Sequence, residues 1–132
     1  MQTGSRRVGP ASLRVRQSNA FNALPMHMRG GLREITSVEV PADQQRKGYA
    51  TTLMHKVCLE ADDVGMVLVL WPNPFGEHIA MSRGQLVDWY AREFGFALIQ
   101  SEPVLMARMP GSTLRVLALT PLVDAVARGL AA

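Results

Sequence analysis

The sequence has 132 residues, 48% hydrophobic and 19% charged, which is enough for one domain with a hydrophobic core but not for two. No apolar run reaches the roughly 20 residues that a membrane span needs, and no apolar block follows the early arginines as in a secretory signal. The single cysteine, Cys58, excludes an internal disulfide, so we expect a cytoplasmic protein that does not act at a membrane.

The net charge of +3 is unevenly distributed along the chain. Residues 1–47 carry eight basic and three acidic side chains, whereas the remaining residues carry six basic and eight acidic ones. A basic front half suits a polyanionic ligand, which is either a nucleotide-bearing cofactor or a nucleic acid. The charge alone leaves both possibilities open.

The first 40 residues predict an arm followed by strands and turns. Residues 1–11 are rich in Gly, Ser and Pro, so we expect a flexible basic arm there and a single domain over residues 12–132. Residues 13–17 alternate apolar and basic side chains, which predicts a half-exposed strand. A helical turn before Pro25, a short strand at residues 26–28 and a longer strand at residues 32–40 follow. Neither face of the longer strand is cleanly apolar, which predicts a bulge that exchanges its faces.

A basic loop with one glycine, residues 45–50, separates this strand from an amphipathic helix. Such a loop points backbone N–H groups and the positive end of the helix dipole at the space in front of it, which is an anion site that suits a pyrophosphate. Gly48 has no Cβ to obstruct a phosphate. Taken alone, a loop of this kind is also typical of a plain surface turn. It matches neither the P-loop nor the Rossmann pattern.

The second half of the chain predicts further strands and helices. Residues 66–71 are apolar throughout, which indicates a central strand covered on both faces and parallel to a neighbour. The proline-containing stretch 72–78 predicts a loop at the carboxyl end of that strand, where open α/β sheets bind ligands. Ser82 and Gln85 predict a capping box for a helix that ends at Gly95. Strands are predicted at residues 96–100 and 104–109, and a further strand and helix within residues 112–132.

Two motifs resemble the GNAT superfamily of N-acetyltransferases. Gln45, Gly48 and Ala50 match the family's acyl-CoA pyrophosphate loop, Gln/Arg-x-x-Gly-x-Gly/Ala, and a helix that runs into Phe94-Gly95-Phe96 is similar to its second signature. The resemblance covers residues 32–109. It implies an α/β (α+β) fold, with a mixed, mostly antiparallel sheet, a central splayed parallel strand pair and flanking helices.

The resemblance also implies a function, an acyl-CoA-dependent N-acyltransferase that transfers acetyl from acetyl-CoA to an amine by direct attack in a ternary complex. Backbone groups of the strand before the loop would pair with the pantetheine arm, and N–H groups of the loop would hold the pyrophosphate. The implied cofactor-binding residues are Val38, Val40, Gln45, Arg46, Lys47, Gly48, Tyr49, Ala50, Thr51 and Asn73.

The catalytic residues are less fully matched by the resemblance. The family's helix carries an acid tyrosine four residues before the glycine, whereas Tyr90 lies five residues before Gly95. A π-bulge would restore its aim, and otherwise Tyr90 is a core residue. Candidate bases are Glu39, just before the loop, and Glu77 and His78 in the loop after the central strand. The His and acidic residues lack metal-ligand spacing, so no metal is expected.

A second function class remains open, a non-catalytic acyl-CoA-binding, nucleic-acid-binding or inhibitory module on the same scaffold. The short N-terminal part and the displaced tyrosine favour it, and the intact loop opposes it. The acceptor is not specified by the sequence. An apolar C-terminal helix and a reduced front wall leave surface to be covered, which predicts a homodimer.

Overall fold

The computed structural model describes residues 1–73 and 81–112, which form a six-stranded sheet with two helices packed on one face. The sheet order is β1-β2-β3-β4-β6-β5, and every neighbouring pair is antiparallel except β3 with β4. This mixed sheet with its central parallel pair is the fold class that the sequence predicts. The elements are β1 (Gly4–Val8), β2 (Ala11–Arg16), β3 (Leu32–Glu39), α1 (Tyr49–Val64), β4 (Val67–Leu70), α2 (Arg83–Phe94), β5 (Ala97–Ser101) and β6 (Val104–Arg108).

The two parallel strands separate after a short paired stretch. Their register runs from Leu32 opposite Val67 to Glu34 opposite Val69, after which β3 continues along β2 alone. The register with β2 shifts within this part of β3, and Ser37 has a φ of +55°. The predicted bulge is therefore confirmed. It opens a cleft between β3 and β4.

The core lies on both faces of the central strands. On the helical face, Leu68 and Leu70 of β4 pack with the buried stripe of α1. On the opposite face, Val67 and Val69 pack against two 3₁₀ turns, Ala20–Ala23 and Met26–Met28. The continuous burial of β4 confirms the prediction of a strand covered on both sides.

The strand predicted at residues 26–28 is wrong. Pro25 begins a 3₁₀ turn there, in which the Met28 N–H donates to the Pro25 carbonyl at 3.0 Å. The turn buries Met28 in the cluster below the sheet, and no neighbouring strand is available for this segment to pair with among the described residues.

The N-terminal segment also differs from the predicted loose arm. Residues 4–8 form the edge strand β1, paired with β2 across the turn at Gly9 and Pro10. Arg6 binds Glu60 of α1 through two hydrogen bonds of 2.9 and 2.7 Å. Pairing with β2 and with α1 thus orders a segment whose composition gives little intrinsic preference for a strand.

Helix α2 begins and ends as predicted. Ser82 and Gln85 form the capping box, and Gly95 closes the helix in the left-handed conformation. The helix is regular α throughout, without the π-bulge that was suggested for Tyr90. Within the described residues, no helix is both long and apolar enough to cross a bilayer. The strand and helix predicted over residues 112–132 lie outside the described residues from position 113 onward.

Candidate active site

The loop between β3 and α1 has the backbone conformation of an anion-binding turn. Arg46 and Gly48 both have positive φ, at +65° and +82°. A non-glycine residue in this region is uncommon and marks a place where the surrounding structure fixes the backbone. The side chain of Gln45 donates to the Val40 carbonyl at 3.2 Å and so ties the loop to the end of β3. A Cβ on Gly48 would meet nothing within 4 Å, so the space in front of this residue is free. Its positive φ, rather than crowding, is therefore what favours glycine at this position.

The amino end of α1 is left uncapped. Gly48 is the N-cap, offers no side-chain hydrogen bond, and accepts from the Thr52 N–H at 3.0 Å. Among the described residues, no acceptor satisfies the N–H groups of Tyr49, Ala50 and Thr51. The exposed side chain of Arg46 stands beside them. Free donors, the helix dipole and a cation therefore converge at one point of the surface, which is an arrangement that favours an anion.

A cavity of about 160 Å³ lies against this loop and contains most of the predicted cofactor-binding set. Lys47 is not part of its lining, because its ammonium group points to the Gln44 side chain at 3.4 Å in an exposed position. Two residues of the lining, Met81 and Trp89, add apolar surface that the sequence pattern does not indicate. The lining residues are Val40, Gln44, Gln45, Arg46, Gly48, Tyr49, Ala50, Thr51, Met81 and Trp89.

A larger cavity of about 420 Å³ occupies the opening between β3 and β4. It lies next to the loop cavity. Val38, Glu39 and Tyr90 line the larger cavity, and their chain neighbours Val40 and Trp89 line the loop cavity. The predicted residues Val38, Glu39, Asn73 and Tyr90 line the larger cavity. The other lining residues are Arg16, Glu34, Ile35, Thr36, Ser37, Leu70 and Trp71.

Tyr90 is buried at the wall of this cleft. Its side chain packs among aromatic rings, with the Phe96 and Trp89 centroids 5.8 and 5.0 Å away. Burial raises the pKa of the Tyr90 phenol to about 12. No described residue forms a hydrogen bond with its hydroxyl. Tyr90 thus lines the cleft with a phenol that is neutral at physiological pH.

Glu34 is a buried carboxylate at the point where β3 and β4 separate. It is 2% exposed and accepts hydrogen bonds from three side chains. The Arg16 Nε donates to Oε2 at 2.6 Å, while the Ser18 hydroxyl and the Trp71 indole N–H donate to Oε1 at 3.3 and 3.2 Å. The Arg16 Nη2 also forms an ion pair with Oε2.

Nothing in the sequence pattern marks Glu34 as a site residue. Its burial depends on Arg16 and on Trp71, which lie 18 and 37 positions away along the chain. The available signal is weak and local, one of two acids in the strand that precedes the residues matching the pyrophosphate loop.

The other candidate residues are placed less centrally. Glu39 is exposed at the rim of the cleft. Glu77 and His78 lie outside the described residues. Cys58 is fully buried in the core, and burial raises the pKa of its thiol to about 12, which removes it as a nucleophile at neutral pH. Within residues 1–73 and 81–112, no three His, Cys, Asp or Glu side chains are grouped to bind a metal ion.

Comparison with known proteins supports the fold. No protein-family model and no curated protein matches the sequence. The chain is similar to the crystal structure of the anti-CRISPR protein AcrVA5, with a TM-score of 0.59 and 17% sequence identity, over 81% of this chain and 98% of that one. At this identity the likeness concerns the fold alone. With the sheet order and the splayed parallel pair, it supports the mixed α+β fold class that the sequence predicts.

Proposed function

We propose that the chain is an acyl-CoA-dependent N-acyltransferase that transfers acetyl from acetyl-CoA directly to an amine. The observation that carries the proposal is the continuity of two features. An uncapped helix start with two positive-φ residues lies next to an opening between parallel strands, and a buried acid and a buried phenol both line that opening. The first feature suits a pyrophosphate and the second suits an acyl group with an attacking amine.

The cofactor would occupy the two adjacent cavities in order. N–H groups from Arg46 to Thr51 bind the pyrophosphate, and the Arg46 guanidinium adds charge. The pantetheine amides pair with β3 around Val38 and Val40, where β3 has lost β4 as a hydrogen-bonding partner. The thioester then lies in the cleft beside Tyr90.

The chemistry follows from the groups in the cleft. The amine nitrogen attacks the thioester carbonyl carbon, and the C–S bond breaks as the tetrahedral intermediate collapses. The Tyr90 phenol gives its proton to the departing thiolate. A carboxylate takes the proton of the attacking amine, directly or through one water. Glu34 is our first candidate for this base because it lies within the cleft, and Glu39 at the rim is the second, while Glu77 and His78 stay sequence predictions.

The first test of this proposal is cofactor binding. Acetyl-CoA is expected to raise the thermal midpoint of the purified chain, since a ligand of the native state stabilises it. A midpoint that does not move at millimolar acetyl-CoA would contradict the proposal. The second test is release of CoA in the presence of a panel of alkylamines and lysine peptides. Release without any amine would indicate hydrolysis and serves as the control.

An inhibitory module is the second candidate, and the likeness to an anti-CRISPR protein is the observation that favours it. Here the chain would inhibit a CRISPR effector. The test is cleavage of target DNA by a panel of CRISPR nucleases after incubation with the chain, with and without acetyl-CoA. Inhibition that needs acetyl-CoA would indicate that the chain inhibits the nuclease by acetylating it, so that both candidate functions hold. Inhibition without acetyl-CoA would indicate stoichiometric binding.

Direct nucleic-acid binding is less well supported, because the basic side chains of the front half are largely engaged within the protein. Arg6 pairs with Glu60, Arg29 donates to the Leu24 carbonyl, and Arg33 donates to the Met1 carbonyl. We retain the homodimer as a prediction, which a monomeric mass by light scattering would contradict. The cytoplasmic location likewise stays a prediction.

A further inference from the structure

The ion pair between Arg16 and Glu34 stands between two cavities. Both residues line the cleft, and both also line a second cavity of about 370 Å³ on the other side, completed by Gln17, Ser18 and Asn19. Arg16 and Glu34 are the side chains that the two linings have in common. The pair therefore forms the partition between the cleft and a second opening to solvent.

The two partners of this pair are held very differently. Glu34 is 2% exposed and lies at the last paired position of β3 and β4, whereas the Arg16 side chain is 65% exposed. Ser18 and Trp71 both donate to Oε1. Among the described residues, Arg16 alone serves Oε2. The Glu34 carboxylate is thus fixed by its buried surroundings, while, among these same residues, its Oε2 binds only a cation whose side chain lies mostly in solvent.

We propose that Arg16 occupies a cation site at Glu34 Oε2 that belongs to the acceptor, so that an alkylammonium group displaces the Arg16 guanidinium when it binds. The identification of this ligand as the acceptor rests on the proposed function, whereas the cation site itself does not. A buried carboxylate, one of whose oxygens is served only by an exposed guanidinium among the described residues, is a favourable partner for an alkylammonium ion. Displacement of Arg16 joins the second cavity to the cleft and gives the amine an entrance from the side of residues 17–19.

Because the Arg16 guanidinium is largely exposed, its ion pair with Glu34 contributes little free energy, and displacing it costs little. Arg16 acts as a positioning residue: it keeps Glu34 paired until a cation of suitable length arrives. An acceptor without positive charge, such as an aromatic amine, cannot replace it at the carboxylate. The site therefore selects aliphatic amines that reach the protein protonated.

The test is chemical rescue of the full chain. Arg16→Ala leaves Glu34 without its cation, and methylguanidinium chloride or n-butylammonium chloride is expected to raise the thermal midpoint of this variant by about 3–5 °C. The matched control is Arg14→Ala, because Arg14 is exposed on the same strand and forms no ion pair with a described residue. Its midpoint is expected to respond no more than that of the unmodified chain. Arg16→Met, which keeps the aliphatic stem, replaces Arg16→Ala if the latter does not fold.

The proposal is overturned if the Arg16 variant responds to both probes no more than Arg14→Ala does. It is equally overturned if the double variant Arg16→Ala/Glu34→Gln responds as strongly as Arg16→Ala, because the cations then bind elsewhere. In CoA-release assays, Arg16→Ala is expected to lower the KM for n-butylamine about three- to fivefold, the size of an exposed ion pair. An unchanged KM would refute the acceptor assignment. Absence of CoA release in every variant would refute the proposed function, while the rescue experiment still decides the cation site.

Discussion

At the residue scale, the cleft combines a buried phenol, Tyr90, with a buried carboxylate, Glu34. The Tyr90 phenol, with its pKa raised to about 12 by burial, remains protonated at any pH at which the protein is expected to work. The Glu34 carboxylate keeps three hydrogen-bond donors although it is buried. A phenol and a carboxylate therefore line one cavity, and the proposed acyl transfer uses the first as acid and the second as base.

Tyr90→Phe tests the role of the phenol. The substitution is expected to lower kcat for CoA release by about 10²–10³, because it removes a positioned acid, and to leave the KM for acetyl-CoA nearly unchanged. The thermal midpoint is not expected to fall, since the hydroxyl has no hydrogen-bond partner among the described residues. Equal kcat in the Tyr90 variant and the unmodified chain would make Tyr90 a packing residue.

Cys58 gives a prediction about pH and stability. The folded state keeps the thiol protonated up to a pKa of about 12, whereas the unfolded chain releases the proton from about pH 8.5. This group therefore contributes its full stability below pH 8.5 and progressively loses it as the pH rises towards 12. Between pH 8 and 10 the unmodified chain is expected to lose about 2 kcal/mol more than Cys58→Ala. Urea unfolding at both pH values measures the difference, and parallel losses would disprove the assignment.

At the element scale, the N-terminal hairpin supports the pyrophosphate loop. Gly9, in the turn between β1 and β2, has a φ of +55°, and a Cβ there would lie 2.9 Å from the Tyr49 ring. Arg6 of β1 holds Glu60 of α1, and this pairing lowers the pKa of the Glu60 carboxyl. The hairpin thus fixes the first turn of α1, which carries the free N–H groups.

Gly9→Ala is therefore expected to weaken acetyl-CoA binding without unfolding the chain. The added methyl group displaces the Tyr49 ring and, with it, the start of α1, so we expect a loss of affinity of about tenfold, equivalent to about 1.4 kcal/mol. Isothermal titration measures the affinity, and circular dichroism checks the fold. Gly30→Ala is the control, because a Cβ at Gly30 meets nothing within 4 Å and its φ is not positive. Equal affinities in the two variants would show that the hairpin does not support the loop.

The elements that sequence patterns identify are those whose stability is local. Three features depend only on residues that are close together in the sequence, and all three are found in the structure. They are the apolar stripe of α1, the capping box of α2 and the apolar run of β4. Strand β1 is different. Its Gly4 end pairs with Val15 of β2, which lies 11 positions away along the chain. The same holds for Glu34, whose burial depends on side chains from β2 and from the end of β4. Periodicity within a window of residues cannot report such contacts.

At the scale of the whole molecule, one buried arginine connects three elements on the helical side of the sheet. Arg108 of β6 is fully buried and forms a two-bond ion pair with Asp62 near the end of α1, at 2.8 and 2.9 Å. Its Nε also donates to the Phe94 carbonyl at the end of α2, at 2.7 Å. The Gly111 N–H donates to Asp62 in turn, at 2.7 Å. The carboxyl ends of both helices are thus fixed to the sheet through one guanidinium.

This network predicts a large and specific loss of stability. Arg108→Met removes two hydrogen bonds to the mostly buried Asp62 carboxylate and one to the Phe94 carbonyl, so the free energy of unfolding is expected to fall by about 3–5 kcal/mol. Arg92→Met, which breaks the exposed pair with Asp88, is expected to cost less than about 0.5 kcal/mol and is the control. Adding Asp62→Asn to Arg108→Met is expected to recover part of the loss, because it removes the carboxylate charge that Arg108 balances in the unmodified chain. Urea unfolding of the four proteins measures these differences. A double variant less stable than Arg108→Met would mean that Asp62 stabilises the fold through contacts other than Arg108.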